Sequence, residues 1–229
     1  MMPEHCPCCG GSQFDQAYVL WQALMDEWRL APEEIAYINR QQGIFCTSCR
    51  ATLRSMVLAR AIMRTLGFDG LFVDFVQDPR VRQLRVLEIN EAGNLTAWLE
   101  QLPHRVLAKY PQVDMMHMPY AEESFDLVIH SDTLEHVPHP IRALSECRRV
   151  LRVGGACAFT VPMVVGRLTM SRAGMPPSYH GYGDVDLGDY LVHTEYGCDA
   201  WRHCMLAGFQ EVRIHTLDHP SAHAFVSVK

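Results

Sequence analysis

Residues 125–162, FDLVIHSDTLEHVPHPIRALSECRRVLRVGGACAFTVP, carry the pattern that decides the fold class. FDLVIHS is a nearly continuous apolar run, as strands buried on both faces of a sheet require. HPIRALSECRRVLRV (139–153) has the spacing of an amphipathic helix, which Pro140 can begin and the following glycine pair can end. ACAFTVP (156–162) is a second buried strand. A strand, a helix and a strand in this order predict a parallel sheet covered by helices.

The same alternation continues on both sides of this stretch. Upstream, RVLEI (85–89) and HRVLAKY (104–110) are predicted strands, separated by the helical pattern of NLTAWLEQL (94–102). Downstream, GCDAWRHCMLAGF (197–209) predicts a helix, and FQEVRIHTL and AHAFVSV predict two strands joined by the short turn DHPS (218–221). The predicted fold class is therefore α/β, with an antiparallel hairpin at one edge of a parallel sheet.

The composition is that of one full-sized globular domain with room for a small appendage. The chain has 229 residues, of which 48% are hydrophobic and 20% charged, and this balance excludes wholesale disorder. Charges or prolines interrupt every apolar run before it reaches the length of a membrane span. The N-terminus, MMPEHCPCCGG, lacks the basic and apolar segments of a secretory signal. We therefore predict a cytoplasmic protein that does not contact a membrane.

Two C-x-x-C pairs stand out among the nine cysteines. Cys6 pairs with Cys9 and Cys46 with Cys49, and 36 residues lie between the two pairs. A C-x-x-C turn places two thiolates on one side of a tight loop, so two such turns can hold a tetrahedral zinc ion. Four cysteine ligands leave no coordination position for a catalytic water, and we therefore predict that the zinc is structural.

Other interpretations of the cysteines stay open from the residues alone. Cys8 or His5 can replace a ligand of the first pair, and the cysteines can instead be buried thiols or a dithiol redox site. The segment between the pairs has the spacing of two helices. We therefore expect residues 1–67 to form a cysteine-rich zinc module with a connecting helix, and residues 68–229 to form the main domain.

Charge disfavours nucleic acid as a partner. The formal net charge is −6, and residues 1–50 hold six acidic side chains against three arginines, which makes the module a poor ligand for phosphates. The next predicted helix carries Arg50, Arg54, Arg60 and Arg64 on one side. A phosphate-binding face is one interpretation of these arginines, and a solvated stripe is the preferred one. Nothing in the sequence sets an oligomeric state.

Four short motifs lie within residues 114–162: an aspartate before Met-Pro-Tyr, Ser-Phe-Asp before the buried strand, Leu-Glu-His after it, and Arg-Val-Leu with Gly-Gly before the next strand. Through these motifs the main domain resembles the class I S-adenosylmethionine (SAM) dependent methyltransferases, type 11. The resemblance extends over about residues 84–229, and the N-terminal part resembles a subgroup of these enzymes with a cysteine-rich module. The resemblance implies a Rossmann-like sheet that ends in a β-hairpin, and SAM as the cofactor.

The resemblance places SAM at the carboxyl ends of the strands. The loop after the first strand runs from Glu88 to Gly93, and only Gly93 remains of the family's Gly-x-Gly. Glu88 is expected to accept hydrogen bonds from the methionine ammonium, or else to be a buried acid satisfied by loop amides. Asp114 is expected to bind the adenine amine, with a ribose contact as the alternative. The implied cofactor-binding residues are Glu88, Ile89, Asn90, Gly93, Asp114, Met115 and His130.

Candidate catalytic residues follow the next two strands. His136, in the Leu-Glu-His motif, is predicted either to act as a base at neutral pH or only to brace its loop. Residues 163–195 hold tyrosines, histidines and aspartates among glycines, and we predict that they form a lid over the acceptor. His193 and Tyr179 are the further catalytic candidates in this segment. A surface loop whose tyrosines pack on the zinc module is the alternative.

Together these features predict an enzyme that transfers a methyl group from SAM to an oxygen or nitrogen of a small-molecule or glycan-like acceptor. In such a reaction the protein mainly positions the nucleophile and in some cases removes its proton. Two alternatives remain at this level. One is a binding or scaffold protein whose altered first loop no longer supports turnover, and the other is a zinc-module nucleic-acid methyltransferase.

Overall fold

The structure, a computed structural model, describes residues 3–180 and 190–229. The N-terminal part of the chain contains short strands and three helices, which are β1 (Phe14–Gln16), α1 (Gln22–Glu27), α2 (Pro32–Gly43), β2 (Ile44–Cys46) and α3 (Leu53–Thr65). The remainder alternates strands and helices: α4 (Phe72–Phe75), β3 (Val86–Ile89), α5 (Thr96–Leu99), β4 (Arg105–Ala108), β5 (Phe125–Ser131), α6 (Pro140–Val150), β6 (Leu151–Thr160), β7 (Met163–Val164), β8 (Met170–Ser171), β9 (Thr194–Gly197), α7 (Trp201–Leu206), β10 (Glu211–Asp218) and β11 (Ala222–Val228).

The central sheet has six strands in the order β10-β11-β6-β5-β3-β4. Strands β4, β3, β5 and β6 are parallel, whereas β11 runs antiparallel to β6 and to β10. The predicted fold class is confirmed: this is a Rossmann-like sheet that ends in a β-hairpin. Because β3 pairs with β4 on one side and β5 on the other, the chain reverses its direction across the sheet at β3. The crevice at the carboxyl ends of β3 and β5 is therefore the expected ligand site.

Both faces of the sheet are covered, which explains the nearly continuous apolar run of β5. Leu127 and Ile129 point into a core shared with α3, whereas Val128 points into a second core shared with α6 and α7. This alternation follows from the two-residue period of a strand. In β11 the same period places Val226 on the α3 side and Phe225 on the other.

Helix α3 joins the cysteine-rich segment to the sheet. Thr52 caps its first turn by accepting a hydrogen bond from the Ser55 N–H, as N-cap threonines commonly do. Its buried residues pack on β11, β10 and β6, in the core that also includes Cys6 and Cys46. The apolar core thus runs across residue 67, where the division between the two domains was predicted, and that division stays a prediction.

Some local predictions needed correction. The first of the two helices predicted between the cysteine pairs begins only at Gln22, and upstream of it the N–H groups of Val19 and Leu20 are bonded to the side chain of Asn39. The helix predicted to reach residue 153 ends at Val150, where β6 begins. Residues 109–124, between β4 and β5, form turns without a helix or strand.

Among the residues that the structure describes, no helix is long and apolar enough to cross a membrane.

Candidate functional site

The four cysteines of the two C-x-x-C pairs meet in one cluster, with their sulfur atoms all within 4.8 Å of one another. Cys6 Sγ lies 3.7 Å from Cys49 Sγ, and Cys9 Sγ lies 3.7 Å from Cys46 Sγ. Sulfur ligands about 2.3 Å from a zinc ion stand about 3.8 Å apart at the corners of a tetrahedron. The spacing of the cluster therefore suits a tetrahedral thiolate site.

Two turns of the same form present these sulfurs. Gly10 donates its N–H to the Cys6 carbonyl, and Arg50 donates its N–H to the Cys46 carbonyl, both at 2.8 Å. Both donor residues have positive φ, 80° at Gly10 and 65° at Arg50. Cys8 is fully buried but stands outside the four-cysteine group. Burial raises the pKa of the Cys9 thiol, so a cation beside it is needed to favour its thiolate form.

A cavity of about 980 Å³ lies at the carboxyl ends of β4, β3, β5 and β6. This is the crevice predicted by the strand order, and its size is that of a small-molecule site. Side chains that follow these strands line it, including Asn90, Glu91, Lys109, Tyr110, Asp132, Thr133, Pro162 and Met163. A mainly apolar wall comes from the N-terminal part of the chain, with Tyr18, Val19, Leu20, Trp21, Leu24, Trp28, Leu30 and Ile38.

The structure divides the predicted site residues into two groups. Lining the cavity are Asn90, Asp114, Met115, His136 and His193. Outside its lining are Glu88, Ile89, Gly93, His130 and Tyr179.

Glu88 is enclosed by its own loop rather than by the cavity. It is fully buried, its Oε2 pairs with Arg105 Nε at 2.6 Å, and its Oε1 accepts hydrogen bonds from Ala92 N (2.7 Å) and Thr96 Oγ1 (2.5 Å). Both carboxylate oxygens of Glu88 are therefore occupied by groups of the protein, which does not fit direct contact with the methionine ammonium. The position fits the alternative, a buried acid whose hydrogen bonds come from its own loop. Ile89, also buried, belongs to the core on the α6 side.

The first loop keeps a glycine-like backbone although only one glycine of the pattern remains. Asn90, Glu91 and Gly93 all have positive φ, at 55°, 68° and 57°. Asn90 holds the loop against the neighbouring strand, because its Oδ1 accepts the Tyr110 N–H at 2.9 Å. A glutamate in this backbone conformation is uncommon. The loop thus adopts the left-handed turns for which glycine is the usual residue.

Asp114 lies in the segment of turns between β4 and β5. Its Oδ1 accepts the Met116 N–H at 2.8 Å, which orders the turn, and its side chain lines the cavity beside Met115 and Met116. This places a carboxylate among apolar side chains, a setting that suits recognition of an amine on a flat apolar ring.

His130 occupies the interior of the sheet and not the cavity. Its ring is fully buried and stacks on Phe159, with ring centroids 4.7 Å apart. Burial lowers the pKa of His130 to about 3. The predicted cofactor contact of His130 therefore does not fit this position, and the side chain is part of the core.

One side of the cavity gathers three titratable groups, of which only His136 was a predicted catalytic residue. Glu135, His136 and His180 each place one ligand-type atom within 4.8 Å of the others. Burial raises the pKa of Glu135 to about 8 and lowers the pKa of His180 to about 3. His136 Nδ1 lies 3.1 Å from the Leu191 carbonyl oxygen and donates its hydrogen to it, which leaves the Nε2 lone pair free.

Arg54 corrects the interpretation of the arginine stripe as solvated. Its side chain is only 18% exposed, lines the cavity and forms an ion pair with Asp132. The neighbouring Arg64 is exposed, as predicted. The sequence placed the arginines on one side of the predicted helix. It did not show that Arg54 faces the carboxyl end of β5, where Asp132 lies.

The segment predicted as a lid is packed on the N-terminal part where the structure describes it. Arg172 is buried, pairs with Glu195, and reaches Glu27 at 3.0 Å. Trp28 Nε1 donates to Ser178 Oγ at 2.9 Å. Both contacts support the alternative of packing against the cysteine-rich part, while His193 still lines the cavity. The predicted lid residues Tyr182, Asp184 and Asp186, with Gly181, Gly183 and Gly188, lie outside the described residues.

Tyr179 is half-buried and forms a backbone bridge with Leu191. It therefore holds the two described ends of the segment together, and its predicted catalytic role has no support from its position.

Comparison with known proteins agrees with this geometry. Residues 66–159 match the protein family described as "Methyltransferase domain", which confirms the resemblance inferred from the motifs. A probable S-adenosylmethionine-dependent methyltransferase from Mycolicibacterium smegmatis is 37% identical over 71 residues, covering 29% of this chain and 26% of that protein. Methyltransferase GfsG from Streptomyces halstedii is 38% identical over 69 residues, covering 30% of this chain and 24% of that protein. The chain thus spans about a quarter of the length of these relatives.

Among the solved structures that this chain resembles are two methyltransferases. A possible histamine N-methyltransferase from Thermotoga maritima is 14% identical, covering 77% of this chain and 98% of that chain, with a TM-score of 0.41. The trans-methyltransferase CalH, in complex with SAH, is 16% identical, covering 86% of this chain and 67% of that chain, with a TM-score of 0.43. At these scores the likeness carries no argument about function.

Proposed function

We propose that this chain, whose residues 66–159 match a methyltransferase domain, transfers a methyl group from SAM to an oxygen or nitrogen of a small-molecule acceptor. The observation that carries the proposal is the cavity at the carboxyl ends of β3 and β5, which joins Asp114 on one side to His136 and His193 on the other. Direct transfer requires that both molecules are bound side by side. We call the side of the cavity that contains Asp114 the cofactor half, and the side that contains His136 and His193 the acceptor half.

The cofactor half fits SAM by the chemistry of its residues. Asp114 offers a carboxylate to the adenine amine, while Met115 and Val113 offer apolar surface to the ring. Asn90 and Glu91 stand at the end of β3, where the left-handed backbone lets the loop lie close to a ligand. SAM supplies a methyl group on an activated sulfonium, so the residues of this chain have to bind, orient and exclude water.

The acceptor half lies under Trp21, Leu24 and Trp28 of the N-terminal wall. Aromatic and aliphatic side chains favour an acceptor that presents an apolar or flat surface, as small molecules and sugar rings do. His136 and His193 are the polar groups placed to meet the nucleophilic atom of the acceptor. Burial lowers the pKa of both histidines, which keeps them neutral near pH 7.

The cysteine cluster is proposed to bind one structural zinc ion through Cys6, Cys9, Cys46 and Cys49. The support is the tetrahedral spacing of the sulfurs, the burial of Cys6 and Cys46 in the core that includes residues of α3 and α4, and the absence of the four cysteines from the lining of the cavity. All four ligands are thiolates, so the ion has no open position and serves the fold.

Calorimetric titration of the purified protein with SAM and with its demethylated product S-adenosylhomocysteine (SAH) tests the cofactor proposal. We expect one binding site per chain for both ligands. Absence of any binding or melting shift at millimolar ligand contradicts a methyltransferase and favours a scaffold protein with the same fold.

Asp114→Ala is expected to weaken the binding of SAH by about 1–3 kcal/mol, because a bound adenine amine loses its partner in a buried setting. The measurement is calorimetry on the folded variant. Asp69→Ala, which removes an exposed carboxylate elsewhere, is the matched control and is expected to leave the affinity unchanged. An unchanged affinity in Asp114→Ala would assign the adenine to another group.

A further inference from the structure

Glu135, His136 and His180 form a cluster on the acceptor side of the cavity, far from the cysteine cluster in the sequence. We propose that these three side chains bind a divalent transition-metal ion that holds the acceptor. The inference rests on the proposed function and adds to it the group that activates the acceptor.

The first argument is the buried carboxylate of Glu135. The residue is 1% exposed, and within the described part of the chain neither Oε1 nor Oε2 has a hydrogen-bond partner. Arg54 is a charged partner of this carboxylate, but its close ion pair is with Asp132. A buried carboxylate is costly unless it is hydrogen-bonded, paired with a charge or bound to a metal. Glu135 thus has one positive charge nearby and no hydrogen bond to its oxygens, and a metal–oxygen bond would take the place of that hydrogen bond.

The second argument is the orientation of the two imidazoles. His136 donates its Nδ1–H to the Leu191 carbonyl, so Nε2 keeps its lone pair, and this atom lies 3.6 Å from Glu135 Oε1. Metal-bound histidines characteristically donate their other N–H to a carbonyl or carboxylate in this way. His180 is fixed by a backbone hydrogen bond to Tyr190 and by packing on Trp28, with ring centroids 4.9 Å apart.

The third argument is the match of donors and spacing to a metal class. Ligand atoms about 2.1 Å from one ion stand about 3.0–3.4 Å apart, so the 3.6 Å between Glu135 and His136 needs only a small closure. Two imidazoles and one carboxylate suit zinc, iron, cobalt or nickel, whereas magnesium and calcium prefer oxygen ligands alone. Three protein ligands also leave positions open towards the cavity.

An ion at this place explains how an acceptor hydroxyl is activated. The hydroxyl oxygen binds the ion, which lowers the pKa of the hydroxyl. Its proton then passes to His193, which lines the same cavity, and the bonding electron pair stays on oxygen. That oxygen forms the bond to the methyl carbon, while the carbon–sulfur bond of SAM breaks and leaves its electron pair on sulfur. His136 is then a metal ligand, and its predicted role as the base passes to His193.

The test is a calorimetric titration of the full-length protein with Co²⁺, after elemental analysis shows that the cysteine site holds its zinc. We expect one Co²⁺ per chain, with visible absorption bands of nitrogen and oxygen ligands and without a thiolate charge-transfer band. Glu135→Gln and His180→Ala are each expected to weaken Co²⁺ binding at least tenfold. Substitution of a residue that only hydrogen-bonds to a metal ligand already lowers metal affinity about 10–100-fold. His139→Ala, an exposed histidine outside the cavity, is expected to bind Co²⁺ normally.

SAH binding, measured on the same samples, separates the two proposals. Folded variants that bind SAH normally but have lost Co²⁺ support the metal site. No Co²⁺ binding at millimolar concentration, or equal binding in wild type, Glu135→Gln and His180→Ala, overturns it, and SAH binding in that protein leaves the proposed function standing. Co²⁺ binding by a protein that does not bind SAH supports the metal site and contradicts the proposed methyltransferase function.

Discussion

Cys46→Ser is expected to abolish zinc binding and to lower the unfolding temperature of the whole chain. Cys46 is fully buried, lies 3.7 Å from Cys9 Sγ, and belongs to the core that α3 shares with the central sheet. Zinc binding to four-ligand peptides contributes about 10–16 kcal/mol near pH 7, and this binding energy is folding energy where the site forms only in the folded chain. Elemental analysis and thermal unfolding followed by circular dichroism measure both effects.

Cys198→Ser provides the control, because Cys198 is an exposed cysteine outside the cluster. We expect it to retain one zinc per chain and the wild-type melting temperature. Wild-type protein that lacks metal and whose four cluster thiols titrate freely with a thiol reagent would refute the zinc proposal.

Glu88→Ala is expected to lower the free energy of unfolding by about 3–5 kcal/mol, because it leaves the guanidinium of Arg105 buried without its partner. The same change removes the acceptor of the Ala92 and Thr96 hydrogen bonds that close the first loop. Urea unfolding at equilibrium measures the loss. Glu91→Ala is the matched control in the same loop, since Glu91 is half-exposed and its ion pair with Lys109 contributes about 0–1 kcal/mol.

The comparison of these two variants also decides between the roles considered for Glu88. A large loss of stability supports a glutamate that braces the loop. If Glu88→Ala is as stable as Glu91→Ala but no longer binds SAM, the result contradicts the bracing role and shows that Glu88 contacts the cofactor directly.

The main strands could be predicted from the sequence, because strands buried on both faces are apolar throughout. FDLVIHS and ACAFTVP are apolar throughout, and the structure shows a covered face on each side of them. The closing hairpin was equally clear, since the turn DHPS separates two runs of strand length. Helix ends were less accessible, because capture of two N–H groups by Asn39 is a contact between distant positions.

Two of the residues predicted to bind the cofactor, Asp114 and Asn90, line the cavity, since both follow strands that the pattern located. Their role in binding the cofactor stays a prediction. The sequence did not show that Glu88 and His130 lie outside the cavity. Each is a strand residue whose side chain contacts a residue of the neighbouring strand. The partners that enclose them, Arg105 and Phe159, are identifiable only when strands are paired.

The acceptor half was largely out of reach from the sequence. Its walls come from α1, from α3 and from the segment that ends at His193, which are distant along the chain. Arg54 and His180 carry no motif of their own, and Glu135 was visible only as part of Leu-Glu-His. What brings these side chains together is the packing of the N-terminal part across the sheet, which no local pattern encodes.

Helix α3 has a consequence for how the chain is made. It ends at Thr65, yet the strand it covers most extensively, β11, begins only at Ala222. During synthesis, the apolar face of the helix therefore has no native partner until β11 has been made. Contacts between such distant segments slow folding and expose apolar surface meanwhile. A nascent chain of this protein thus depends on β11 to cover α3, and loss of that strand leaves the helix open to aggregation.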